Sequence, residues 1–388
     1  MRTALLAAVI TLSQIALFVN AAPGRSLGER YFTAFQWDSV WYADIARRGY
    51  VSTIPPVPIG EVSNVTHFPA YPLGIRMAQR VLTSSDQIAS LLTAQVCAWG
   101  FWIYVLLTLK RWRVRGFAGA LAVLAIAVHP TAFFLITAYS EPMFVMAAFG
   151  CWFWYMQGGK RALAVAALHG FTLTATRISG VGAAGAFVLD AALRQTLGRA
   201  QRWHLAQAAI LTVVSLGGAA IFFTFCAIKF GAWNFYQIRQ AVGWGHQTDY
   251  LAALYPSAYR FFVPNWHDEG ALGAFENPYV LAALALYVAI WVKRRAVPES
   301  LALVGMAAII LYVSICGVYH THFAAMARYQ FPIHAMLVIG FVDVLRSQSD
   351  APLWLRIVGT TVMLGLAVLS LRLQLDLAAM FARHLPVV

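Results

Sequence analysis

Apolar runs of roughly 17–22 residues, separated by short charged connectors, recur from one end of this chain to the other, and each is long enough to cross a hydrocarbon core of about 30 Å as a helix. They fall near 3–22, 87–109, 116–136, 140–157, 205–229, 278–292, 299–317, 330–346 and 353–373. A further apolar region, 162–193, is broken at Arg177 and reads either as one long span or as two short helices that enter and return. The pattern predicts an all-α integral membrane protein with about ten or eleven crossings. It reads as a single polytopic domain over residues 1–388, with no internal repeat and no soluble domain. Residues 1–22 read either as the first span or as a secretory signal peptide, with Val19-Asn20-Ala21 before the cut.

Composition agrees with that class. Of 388 residues, 61% are hydrophobic and 11% charged, against about 25% charged in a soluble domain. The net charge of +13 raises the question of nucleic acid, but its distribution excludes it. The densest basic clusters are short connectors: Lys110-Arg111-Trp112-Arg113-Val114-Arg115, Lys160-Arg161, Arg194 to Arg202, and Lys293-Arg294-Arg295. They share one side of the membrane if 162–193 returns to the side it left, and the positive-inside rule makes that side cytoplasmic. The long segments 23–86 and 230–277, with 318–329, then lie on the outer face, where the polar variety of the chain is concentrated.

Cys97, Cys151, Cys226 and Cys316 lie within apolar runs without ligand-like spacing, and are expected as free core thiols. Asn64-Val65-Thr66 fits a glycosylation sequon on an outer loop. His320 and His322 flank Thr321 in a loop, a spacing that does not define a metal site.

Candidate chemistry begins with Asp38, in FQWDSVWYADIARRGY. At helical spacing Trp37, Val40, Trp41 and Ile45 form an apolar stripe, while Asp38 and Tyr42 share another face. Such a helix would lie along the membrane surface. Asp38 then reads either as the base of a substrate groove or as the cap of an interfacial anchor. The stretch HFPAYPL, from His67 through Tyr71, carries two prolines three residues apart. It is expected to be irregular, forming a stiff, ring-lined wall. Glu141 follows Ser140 at an outer turn and reads as a helix cap or as a substrate contact. Arg177 interrupts an apolar region, and Arg328-Tyr329 opens the last-but-one span. Charge at such depth costs roughly 2.5–3.5 kcal/mol on insertion scales, which marks these residues as functional candidates. Arg328 could meet a phosphate bidentately or anchor the span at the interface.

The ordered series WDSVWYADIARRGY, HFPAYPL, AYSEPMF, TATRISGV, a Lys-Phe-Gly segment leading to Trp244, and ARYQFP resembles the GPI mannosyltransferase 2 (PIG-V-like) family, over about residues 30 to 335. His67 stands where that family more often has an aromatic residue. The chain is also shorter than eukaryotic members, which points to a bacterial relative and away from a GPI acceptor. The resemblance implies a GT-C glycosyltransferase fold with its active site on the non-cytoplasmic face of a bacterial plasma membrane, or on the lumenal face of the endoplasmic reticulum. It implies transfer of mannose, with inversion, from a polyprenyl-phosphate donor to a glycolipid or glycan acceptor. The matched base is Asp38, with Arg328 first and Arg177 second as the cation facing the leaving phosphate. Glu141 and His67 would hold sugar hydroxyls. Trp37, Trp41 and Tyr71 would pack on sugar or lipid, with Tyr42 and Tyr329 beside them. No cofactor is expected, and the reaction is expected to be metal-independent. The competing readings are a transferase of another polyprenyl-linked sugar, a polytopic transporter, and a non-catalytic partner subunit.

Overall fold

A computed structural model describes residues 1–51, 63–198, 202–262, 270–294, 296–346 and 353–385. Parts of the two long outer segments (52–62 and 263–269), Arg295 and the 199–201 portion of one basic connector therefore lie outside the described residues. Among the described residues the chain is helical, without a strand.

The first apolar run forms α1 (Arg2–Ala21). It is packed into the bundle, with Gln14 accepting a hydrogen bond at 2.9 Å from the indole of Trp102. The first outer segment follows as α2 (Leu27–Phe32), α3 (Asp38–Arg48) and α4 (Ala70–Val81). Then come α5 (Asp86–Arg111), α6 (Gly116–Ala127), α7 (Glu141–Gln157) and α8 (Lys160–Thr176), and, after a break at Arg177, α9 (Ser179–Ala184) and α10 (Ala186–Thr196). The remainder is α11 (Arg202–Phe230), α12 (Phe235–Trp244), α13 (Ala271–Arg294), α14 (Leu301–Val318), α15 (Met326–Leu345) and α16 (Leu353–Ala382). Six of these (α1, α5, α11, α13, α14 and α16) are long and apolar enough to cross a membrane. The helices α7, of 17 residues, and α15, with its buried polar groups, lie mostly inside the bundle, while α8, also of 17 residues, is buried along one side.

Two local departures from the pattern have clear causes. The run 116–136 does not stay helical: α6 stops at Ala127 and a 3-10 turn occupies Ala132–Leu135. Between them is His129-Pro130; a proline removes a helical donor and pushes the residue before it out of the α region. Conversely, the second proline of HFPAYPL is helical. Pro69 is the N-cap of α4 and Pro72 lies in its first turn, where the missing N–H would have had no intrahelical partner.

Glycines set the spacing of α8 against α11. A side chain at Gly218 would come within 2.2 Å of the Phe171 carbonyl oxygen, and one at Gly170 would meet the Ser215 hydroxyl. Small residues let backbones approach closely where lipid supplies no hydrophobic drive.

The region 162–193 takes the enter-and-return course. α8 starts at Lys160 and ends beside Arg177 at the pole where α7 begins; α10 runs back to Arg194, which donates to the Pro298 carbonyl at 2.6 Å. That second pole is tied by ions. Arg111 lies 3.3 Å from Glu299, and Arg346 lies 2.9 Å from Glu299 and 3.0 Å from Asp343. The Arg346 guanidinium also covers the Trp112 ring at 4.6 Å. Arg111 and Arg194, from two of the basic connectors, are thus engaged at the ends of α5 and α10, as is Arg346 at the end of α15.

All four cysteines are free and buried. The sequon is not an exposed loop. Asn64 is 2% exposed, and its amide donates to Asp44 at 2.9 Å and to the Gly49 carbonyl at 3.1 Å while accepting from the Val51 N–H at 3.1 Å. Those bonds join the end of α3 to the segment before α4 and leave no room for a glycan.

Candidate functional site

Four segments distant in sequence meet at the pole opposite the Glu299 network. Asp38 is the first residue of α3, a favourable place for a carboxylate at the positive end of a helix. It follows Trp37, whose φ of 54° is rare for a bulky residue. Arg328 enters on the first turn of α15, and its Nη1 lies 2.8 Å from Asp38 Oδ2. Its Nε lies 2.9 Å from Glu141 Oε1, at the start of α7. Arg177, in extended conformation after α8, puts its Nη1 2.5 Å from the same Glu141 oxygen. Two carboxylates face two guanidiniums, so the quartet is neutral. Burying either sign alone would be costly.

Glu141 is 1% exposed, against 18% for Asp38 and 12% for Arg328. It sits beneath the arginines rather than at a surface a sugar could reach, so its observed engagement is as their anchor, neither cap nor sugar contact. Its pairings are by charge and proximity. Both arginines approach the same carboxylate oxygen, Oε1.

Aromatic rings frame the quartet. The Arg177 guanidinium lies over Tyr329 at 4.7 Å, and that of Arg328 over Tyr139 at 5.1 Å and Tyr329 at 5.2 Å. Arg328 Nη2 also donates to the Tyr329 hydroxyl at 3.3 Å. These contacts hold the cations without neutralising them. Tyr42, four residues from Asp38 on the same face, shares a hydrogen bond of 2.8 Å with Ser140. Its ring meets His67 edge-on at 4.8 Å and Tyr71 at 5.0 Å. Trp41 stacks more loosely on His67, at 6.4 Å.

Some expected contacts are arranged differently. Tyr71 is fully buried and donates to the Ser90 carbonyl at 2.8 Å, so it supports Tyr42 rather than offering a face to a sugar. The inward face of α3 is Ser39, Tyr42, Ala43, Ile45 and Ala46, while Trp37 and Val40 are exposed. With Asp38 turned toward Arg328, the expected apolar stripe is split: Trp37 and Val40 face outward, Trp41 is half-buried and Ile45 is buried. The Trp37 ring is then covered by His384, in parallel stacking at 4.2 Å and 8°. The His384 imidazole also hydrogen-bonds Gln36, and Gln36 donates to the Ala382 carbonyl at 3.0 Å. Nothing in the sequence around His384 pointed to that contact. Tyr139 and Ser140, in contrast, are adjacent to Glu141 in the AYSEPMF stretch. α12 closes one side: Gln240 and Trp244 donate to Thr66, at 3.1 and 3.3 Å.

Electrostatics follow from this packing. Burial pushes the Asp38 carboxyl up, but Arg328 foremost, with His67 and Arg177, outweighs burial and holds it below its ordinary value. Burial lowers His67 to about 4, so its ring is neutral at neutral pH, with Nδ1 3.1 Å from the Thr66 hydroxyl. Burial, then Glu141 and Asp38, raise Tyr42 and keep it protonated. His320 pairs with Asp249 at 3.6 Å, away from the quartet. Among the described residues no group of three or more His, Cys, Asp or Glu is gathered as a metal would require.

The chain is an integral membrane protein with the GT-C glycosyltransferase fold. Over 98% of its length it is similar to the archaeal oligosaccharyltransferase AglB from Archaeoglobus fulgidus in complex with an inhibitory peptide and a dolichol-phosphate, at TM-score 0.52 and 13% identity. It is similar to the apo form of the Archaeoglobus fulgidus oligosaccharyltransferase over 99% of its length, at TM-score 0.50 and 16% identity. The chain spans about half of those proteins, covering 55% of each; at such identities the likeness is one of fold. No family model and no curated protein matches the sequence.

Proposed function

We propose that this protein is a PIG-V-like mannosyltransferase. In this reading it moves a mannosyl residue from a polyprenyl-phosphate donor to a glycolipid or glycan acceptor, with inversion and without a metal. The observation that carries the reading is the convergence of Asp38, Glu141, Arg177 and Arg328 from four segments at one pole of a GT-C bundle. The concentration of basic connectors at the other pole supports a site on the non-cytoplasmic face of the plasma membrane. The solved AglB complex holds a dolichol-phosphate, which is consistent with a lipid-phosphate donor.

An acceptor hydroxyl attacks the anomeric carbon while Asp38 takes its proton. The bond from that carbon to the phosphate oxygen breaks, and its electron pair leaves with the lipid phosphate. Arg328 faces the charge that develops there, held in place by Glu141 and seconded by Arg177. Paired to Arg328, Asp38 is a weak base. Engagement of Arg328 by the donor phosphate weakens that pairing and raises the proton affinity of Asp38 when it is needed. In this reading neutral His67 and Trp41 contact the sugar. With both carboxylates neutralised by arginine, no anionic pair is left over to hold a divalent cation.

The test is transfer from labelled polyprenyl-phosphate mannose, glucose and arabinose by the purified chain, with and without EDTA. Mannose-selective transfer that survives EDTA and is abolished in Asp38→Asn is expected. Transfer of another sugar, loss with EDTA, or near-normal activity of Asp38→Asn each removes the corresponding part of the reading.

A further inference from the structure

At the end of α3 away from Asp38, a second basic site is built into the fold. The last turn of α3, α4 and the end of α11 enclose a cavity of about 220 Å³. Tyr50, Pro72, Leu73 and Phe225 are among its mostly apolar lining. Two cations line it, Arg76 from α4 and Lys229 from α11, and no carboxylate does. The Lys229 ammonium rests over the Phe225 and Phe230 rings at 5.7 and 5.9 Å. Arg76 makes one long bond, 3.5 Å to the Arg47 carbonyl, leaving most of its donors unused. The acidic groups around this end are engaged elsewhere, Asp44 by Arg48 at 2.5 Å and Asp86 by Arg47 at 3.9 Å. Among the described residues neither Arg76 nor Lys229 has a carboxylate within ion-pair distance.

Two uncompensated cations in a mostly apolar lining are matched by one kind of ligand: an anion with an apolar body. The surroundings place that ligand in the bilayer. α4 exposes Leu73, Met77 and Val81 in one stripe at i, i+4 and i+8, the apolar face of a helix lying in the interface. The cavity therefore opens where headgroups meet hydrocarbon. Its nearest lining residue on α3, Ile45, is seven residues beyond Asp38, about 10 Å along the helix, so a phosphate held there does not also reach the Asp38 carboxylate.

We propose that this cavity binds the phosphate of an anionic membrane phospholipid, with its acyl chains along Leu73, Met77 and Val81, as a resident lipid rather than a substrate. Tyr50 links the lipid to the site above, since its hydroxyl donates to the His67 carbonyl at 2.8 Å.

The test reads lipid retention and requires no activity, so it stands apart from the transferase reading. The full chain is extracted in mild detergent from vesicles of equal phosphatidylglycerol and phosphatidylcholine, and co-purifying lipid is quantified by mass spectrometry. Enrichment of phosphatidylglycerol is expected, falling roughly fivefold in Arg76→Ala and in Lys229→Ala. Lys229→Arg should retain it, as should Arg80→Ala, which removes an exposed cation of the same helix outside the cavity. Equal retention of the two lipids overturns the proposal. So does an equal loss in Arg80→Ala, which would mean diffuse surface attraction. Polyprenyl phosphate found in place of phospholipid would overturn the assigned occupant.

Discussion

Arg328 lies 290 residues from Asp38 in the chain and 2.8 Å from it in space. A carboxylate proposed to accept a proton is thereby held by the cation proposed to receive the leaving phosphate, so the two roles are linked through one ion pair.

That linkage has a pH signature. Arg328 depresses Asp38, so the stability from the pair is fully present above the unfolded carboxyl value of about 3.9 and is lost as pH falls through the lower folded value. Activity of the wild-type free enzyme should accordingly show no acid limb from Asp38 in the range above about 4. In Arg328→Ala, burial acts on Asp38 with its main opponent removed, and the acid limb of kcat/KM should move up into the accessible range while the rate falls. An unshifted limb in that variant would separate Asp38 from the titration.

Removing the Glu141 charge leaves Arg177 without an ion-pair partner among the described residues and Arg328 with Asp38 alone. Glu141→Gln should destabilise the fold by about 3–5 kcal/mol, the usual cost of breaking a buried pair by deleting one partner. Thermal unfolding in detergent measures this, and Arg177→Met in the same background should recover part of the loss. A Glu141→Gln protein as stable as wild type would mean that water already serves the arginines.

His67 is held neutral by burial at about 4, against about 6.5 when unfolded. Between those values the unfolded chain binds the extra proton, so stability should fall as pH is lowered, by about 3 kcal/mol across the window. His67→Phe should flatten that part of the Tm–pH profile. The same slope in the variant would assign it to another group.

The stack of His384 on Trp37 should steady the residue that precedes Asp38. His384→Ala loses a ring contact of about 0.5–1.5 kcal/mol, which predicts a few-fold fall in kcat at similar KM, with recovery in His384→Phe. A change confined to KM would instead place the imidazole on the substrate path.

Most of the helices were legible because hydrophobic runs and basic connectors alternate, and because a cation such as Arg177 cannot continue quietly through an apolar stretch. Glu141 was legible as important, since Ser-Glu-Pro marks a helix start, but its partners were not. Pairing with two arginines depends on how α7, α8 and α15 converge, and no local pattern encodes that. The break of α6 could have been read from His129-Pro130, but the apolar run around it masked the proline. Tyr71 and the tryptophans illustrate a different limit. Periodicity assigns residues to faces, and only the docking of Asp38 on Arg328 decides which face turns inward. His384 left no trace at all, because a single polar residue in a tail has no period.

The close approach of α8 and α11 at Gly170 and Gly218 has a consequence for biogenesis. Arg177 leaves the ribosome long before Arg328, and the two glycines let α11 seat against α8 while α15 is still unmade. Glu141 therefore has one cationic partner waiting during insertion and gains the second only when α15 arrives.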